Sequence, residues 1–293
     1  MNTIIFGITV LLALGILAFS FNRVFKIMKK LKSFKIDQIG KRTGKMLNVA
    51  FGQTKILKRP IGILHALVFW GFLVIFIGTL EIMIDGFAGT ERFFGNFGQF
   101  YNIITASGDI FALIIAFFVF IFILRRTVIH VARYEGVEMK KKSHLDALFA
   151  LLLIFLLMIS LLGMNVFYYI LTKNTADFVG SYPVSKFIAG MFHNITPKQA
   201  HFWYKFNWWF HIETIFLFAN ILPYSKHFHV FMSIPNVFLS RLEPLGKMDT
   251  MESIKEEVKS MMNPDTAFQD TGDAPAELER FGVLDAADVT WKT

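Results

Sequence analysis

Apolar residues run along this chain in long blocks separated by charged segments. Five such blocks lie at residues 4–21, 61–84, 103–127, 145–170 and 207–226. A helix that crosses a bilayer needs about 20 mostly apolar residues, and the five blocks meet or approach that length. The pattern predicts an all-α membrane protein: a five-transmembrane-helix bundle over residues 1–245, followed by a tail over 246–293. The third block is the weakest, because it reaches full length only by starting near Ile103 and carrying Ser107 and Asp109 close to the interface. The first block has no basic residue before it and a dense basic run after it, so it is expected to be a retained helix and not a signal peptide.

Charge orients the bundle. Twelve of the 30 Lys and Arg residues fall within 22–60 and six within 125–144, against one in 85–103 and four in 171–206. With five spans these segments alternate, and the positive-inside rule puts the N-terminus outside and the C-terminus in the cytoplasm. The run 23–59 sets Phe25, Ile27, Met28, Leu31 and Phe34 among lysines, as an amphipathic segment on the inner leaflet or a solvated linker would. The net charge of +8 therefore needs no nucleic acid to explain it. The tail is acidic, with 11 Asp and Glu against five Lys and Arg; residues 251–262 have helical spacing up to the Asn263-Pro264 pair.

Zero cysteines exclude disulfides, thiolate metal sites, covalent haem attachment and iron-sulfur clusters ligated within these residues. No internal repeat, GxGxxG, P-loop, GxSxG or HExxH occurs either. Histidine is left to carry redox chemistry. His130 and His144 flank the basic loop, and His193 and His201 lie in an outer loop, where solvated roles suffice. His211 and His229 are 18 residues apart, which on one continuous helix is five turns and about 27 Å on a single face, with His227 turned almost the other way. His65 follows Pro60 by five residues, at the expected depth of His229. A porphyrin held edge-on between two helices needs one neutral imidazole from each at matching depth. His65 and His229 are the candidate axial ligands for haem iron; packing histidines are the plainer reading.

Other residues have two readings each. Gly62 lies one turn from His65, and Gly71 and Gly78 form a small-residue stripe on the same helix; all three suit helix packing more than a ring. Arg59, Arg125 and Arg126 are candidates for haem propionates or serve only as topology-setting charges. Glu81 and Glu213, with Asp85, are quinone or proton candidates or ordinary interfacial acids. Trp203, Trp208 and Trp209 suit an outer interfacial belt.

The segment WFHIETIFLFANILPYSKHFHVFMSIP resembles the last helix of the respiratory nitrate reductase gamma subunit, a five-helix di-haem cytochrome b with histidines 18 apart. GILHALVFWGF resembles its second helix, with His65 at the inner-haem position; ten residues on, where that family has its next ligand, stands Ile75. The resemblance implies haem b ligated by His65 and His229. It leaves His211 for a second haem or a quinone, with His227 as an extra histidine and alternative ligand. The succession FGQTKILKRPIGILHALVFWGFL, YSKHFHVFMSIPNVFLSRLEPLGKMDTMESIKEEVKSMMNP and ERFGVLDAADVTWKT is similar to the membrane part of bacterial membrane-bound iron-sulfur oxidoreductases related to heterodisulfide reductase. Some of these are proposed to pass electrons from electron-transfer flavoprotein to menaquinone. That resemblance implies a membrane cytochrome b in the bacterial cytoplasmic membrane, with iron-sulfur clusters in a partner domain or chain and menaquinone as substrate. A cofactor-free membrane anchor and an ion or proton transporter are the competing classes.

Overall fold

The structure, a computed structural model, describes residues 2–31, 36–129, 141–244 and 252–262. Among the described residues it is all helical: α1 (Thr3–Met28), α2 (Ile39–Met46), α3 (Pro60–Ala88), α4 (Gln99–Thr127), α5 (Lys141–Thr172), α6 (Pro183–Ala189), α7 (Pro197–Ile221), α8 (His229–Leu239) and α9 (Glu252–Met262). The ends follow local chemistry. Asn2 accepts the Ile5 amide and opens α1, while Pro60 and Pro197 sit where a missing amide costs nothing. Thr196 and Gln199 form a capping box on α7. Gly89, at φ 68°, closes α3 in the left-handed region that glycine tolerates.

The five long helices close into a ring in the order α3, α4, α5, α7, α1, with α1 touching both α7 and α3. Four of them (α1, α3, α4 and α5) are long and apolar enough to cross a membrane. The first half of α7 is more polar, carrying Lys198, Gln199, His201, Lys205 and Asn207. The bundle's outward faces remain apolar: Ile4, Leu11, Phe72, Phe76, Leu113, Phe117 and Leu152 are exposed. Helices apolar on every side belong in lipid, not water.

Glycine sets two close approaches. A Cβ at Gly71 would stand 2.7 Å from the Phe111 ring and 3.0 Å from Ile115, so that glycine serves the α3–α4 contact. At Gly62 a Cβ would collide with the Ile56 carbonyl, so this glycine lets the 53–59 turn fold against α3 and does not face a ring.

Three sequence expectations change. The fifth helix does not run on to His229: it ends at Ile221, a tight turn over 222–224 contains Pro223, Ser225 is extended, and His229 opens the separate helix α8. The 18-residue, single-face relation of His211 to His229 therefore fails. Trp208 is core and not belt, packing against Phe6 at 5.6 Å and Trp209 at 5.1 Å. The basic run is not simply spread on a surface. Arg42 is 1% exposed and donates to the carbonyls of Asp37 (2.7 Å), Phe238 (3.2 Å) and Ser240 (2.9 Å), fastening α2 to the end of α8. Helix α9 matches the helical reading of 251–262; the remainder of the tail lies outside the described residues, as does His130.

Candidate functional site

His65 stands in the second turn of α3 and His229 is the first residue of α8. Their ring centroids are 6.3 Å apart with planes inclined by 37°. Two elements far apart in sequence thus present imidazoles to one another, both exposed. The turn before His229 is held from α5. Asp146 Oδ2 accepts the Lys226 amide at 2.9 Å and the Ser225 hydroxyl at 3.1 Å. His229 Nδ1 lies 3.3 Å from the Lys226 carbonyl, an atom that only accepts, so the hydrogen belongs on Nδ1 and Nε2 keeps its lone pair. A backbone carbonyl on the far nitrogen is the usual second partner of a metal-binding imidazole.

The spacing is informative. Imidazoles sharing one metal would need their coordinating nitrogens turned toward each other at metal–nitrogen distances of about 2 Å, and a ring-centroid separation of 6.3 Å leaves room for that. Among the described residues no group of three or more His, Asp or Glu comes together as a metal cluster. Two imidazoles alone do not complete a metal's coordination shell, so a metal held by His65 and His229 would need its remaining ligands from a bound cofactor.

His227 lies beside the pair, its ring 5.9 Å from that of His229, and its Nδ1 is 3.1 Å from Ser225 Oγ. Burial and then the neighbouring His229 hold its imidazole below the usual histidine value. Arg59 is exposed at the start of α3, and Arg125 and Arg126 are half-buried at the end of α4; all three belong to the same end of the bundle as His65.

His211 is not brought to this pair. It is buried, with Nδ1 3.0 Å from the Leu157 carbonyl and 2.9 Å from Ser160 Oγ. It lines a cavity of about 40 Å3 together with Ile75, Gly78, Glu81, Arg92, Asp109, Asn165 and Tyr182. At roughly 10–15 Å3 per water, that is room for about three waters and not for a porphyrin. Ile75 is buried and supplies no ligand atom beside His211. His193 and His201 are exposed and lie outside this cavity.

The acids separate. Glu213 is exposed on α7, outside the cavity. Glu81 is buried, accepting the Phe94 amide (3.0 Å) and the Tyr101 hydroxyl (2.9 Å). Asp85 accepts Thr90 Oγ1 and the amides of Arg92 and Phe93. Together they fold the 89–98 turn. Sequence reading passed over four residues here. Arg92 donates to Asn165 Oδ1 at 2.9 Å and lies 4.4 Å above the Tyr168 ring; Asp109 caps α6 through the Val184 and Ser185 amides; and Tyr182 closes the cavity. The available signal was Asp109 and Asn165 inside apolar runs, where an unpartnered polar residue is expensive.

Comparison with known proteins places the chain. It is 28% identical over 214 residues, 72% of its length, to the "probable iron-sulfur-binding oxidoreductase FadF" of Bacillus subtilis. It is 24% identical over 217 residues, 71% of its length, to the "EtfAB:quinone oxidoreductase" of Syntrophomonas wolfei. The chain spans under a third of either relative, 28% and 29% respectively. No protein-family model and no solved structure matches it. Over about 70% of its length the chain is thus similar to parts of proteins named as an iron-sulfur-binding oxidoreductase and a quinone oxidoreductase, the group that its motifs resemble.

Proposed function

We propose that this chain is the haem-bearing membrane portion of a quinone-linked respiratory oxidoreductase in the bacterial cytoplasmic membrane. In this reading α7 is the fifth span of a bundle of the nitrate reductase gamma-subunit type. The N-terminus is outside, and the acidic tail lies on the cytoplasmic side, toward an iron-sulfur domain or subunit. His65 and His229 hold one haem b, and Arg59, Arg125 and Arg126 lie at the end where its propionates would need cations. Held by these two imidazoles, such a haem would supply one-electron transfer. Menaquinone in the bilayer is the other redox partner, and electron-transfer flavoprotein is the soluble donor suggested by the name of the Syntrophomonas relative.

The observation that carries the reading is the meeting of His65 and His229, brought together from α3 and α8 with ring centroids 6.3 Å apart, a pair that would hold the haem iron. The chain's own contribution is placement. Asp146 fixes the turn before His229, the Lys226 carbonyl fixes its tautomer, and Arg42 fixes the far end of α8. The test is a pyridine haemochrome assay and a dithionite-reduced spectrum of the detergent-purified chain. One b-type haem per chain is expected. His65→Ala and His229→Ala should each remove it, whereas His227→Ala should retain it. Wild-type haem content in either of the first two variants sinks the assignment.

A further inference from the structure

The cavity at His211 faces the end of the bundle remote from His65. Two buried polar atoms on its lining residues have no hydrogen-bond partner among the described residues: His211 Nε2 and Tyr182 Oη. Both residues are nearly sealed, at 2% and 4% exposure. Their chemistry is complementary. Because the Leu157 carbonyl takes the hydrogen of Nδ1, Nε2 is a bare acceptor. Burial pushes the Tyr182 phenol up to about 12, against a downward pull from Arg92, so Tyr182 is a donor at physiological pH. Its hydroxyl lies near Tyr101, whose own hydrogen goes to Glu81, but no hydrogen bond of acceptable geometry joins the two phenols.

An orphaned buried donor and an orphaned buried acceptor each cost about 1–3 kcal/mol unless something solvates them. The cavity between them has room for about three waters. A quinone ring does not fit, since benzene occupies a cavity of about 150 Å3. The other groups facing His211 come from every neighbouring element: Glu81 from α3, Asp109 from α4, Ser160 and Asn165 from α5, and Arg92 from the 89–98 turn. Glu81 and Asp109 retain lone pairs for water, and half-buried Arg92 carries the polar lining out to the turn. Gly78 and Gly108 also line the space, and a Cβ on either would meet nothing within 4 Å.

We infer that this cavity is a hydrated proton-exchange site, in which water bridges Tyr182 Oη to His211 Nε2 and connects that imidazole with solvent at the 89–98 end of the bundle. The destination of the proton rests on the proposed function. Quinone takes two electrons from the iron-sulfur partner and two protons to become quinol, and quinol returns both on reoxidation. His211 is the inner terminus of the path: Nε2 accepts a proton from the cavity waters and gives it back to them, while Ser160 and the Leu157 carbonyl are positioning groups that fix its tautomer.

The test uses the full chain labelled with 15N-histidine in lipid nanodiscs, with magnetisation transferred from water to the imidazole nitrogens. His211 is assigned by difference against His211→Gln. A water signal on His211 Nε2 is expected, weakened in Tyr182→Phe and lost in Gly78→Leu, which fills the cavity without removing a polar group. In the same preparations, reduction of the bound haem by a short-chain menaquinol analogue should slow at least about tenfold in Tyr182→Phe, with haem content unchanged. A dry Nε2 in the wild type overturns the inference. A hydrated Nε2 with an unchanged quinol rate in Tyr182→Phe overturns its exchange role. Absence of haem in the wild type defeats the proposed function instead, and the water signal still decides the cavity.

Discussion

Arg42→Met isolates what holds α8, and with it His229, in place. Methionine keeps most of the aliphatic stem but removes every donor. Two lost hydrogen bonds reach across to α8 and its cap, at the Phe238 and Ser240 carbonyls; the others are local, to Asp37. Hydrogen bonds from a charged donor contribute about 1.5–3 kcal/mol each, and water recovers part of that where a carbonyl becomes accessible. The local ion pair counts for little, because Asp37 is 57% exposed. The expected cost to the docking of α2 on α8 is therefore about 2–4 kcal/mol. Lys45, which donates to the Arg241 carbonyl at 2.6 Å, remains and keeps the loss local. In hydrogen–deuterium exchange, amides of α2 and α8 should exchange roughly 30- to 700-fold faster, while those of α3, α4 and α5 are unchanged. Wild-type protection of α8 in this variant refutes the argument that Arg42 holds it.

Two further substitutions probe the bundle. Gly71→Leu forces side-chain atoms into Phe111 and Ile115 and should destabilise the chain by about 1–3 kcal/mol, read as a lower melting temperature in detergent; an unchanged melt means that α3 and α4 are less tightly packed than described. Asp109→Asn replaces one carboxylate oxygen by an amide donor, which must face either the Val184 and Ser185 amides or the Ser185 hydroxyl and the Asn165 amide, and should loosen α6 at a cost of about 1–3 kcal/mol; limited proteolysis within 180–196 is the readout, and resistance equal to wild type counts against the cap.

The sequence alone was enough to mark α1, α3, α4 and α5, whereas α7 begins at Pro197, ten residues before the apolar block at 207, and takes in His201, which the apolar pattern leaves in an outer loop. In a bilayer both the packed and the outward faces of a span are apolar, so length and uninterrupted hydrophobicity mark a helix without any need to know its neighbours. Prolines at 60 and 197 and glycine at 89 even set the ends. It also singled out His65 and His229, though by a route that the structure does not follow. Their depth was argued on a continuous fifth helix, yet the chain breaks over 222–225. Pro223 was visible in the sequence, but a proline in an apolar helix can kink or stop it. The difference lies in Asp146, 79 residues away, which accepts the Ser225 hydroxyl and the Lys226 amide. Arg42 was one of twelve basic residues in its segment, and only the carbonyls at the end of α8 distinguish it from the rest. The His211 cavity was out of reach for the same reason. Its walls come from α3, α4, α5, α7 and two connecting segments, and no local pattern encodes which buried polar atoms end without partners. Sequence decides what each segment is, because propensity and hydrophobicity are local; tertiary structure decides which polar groups meet, because that depends on how the helix ring closes.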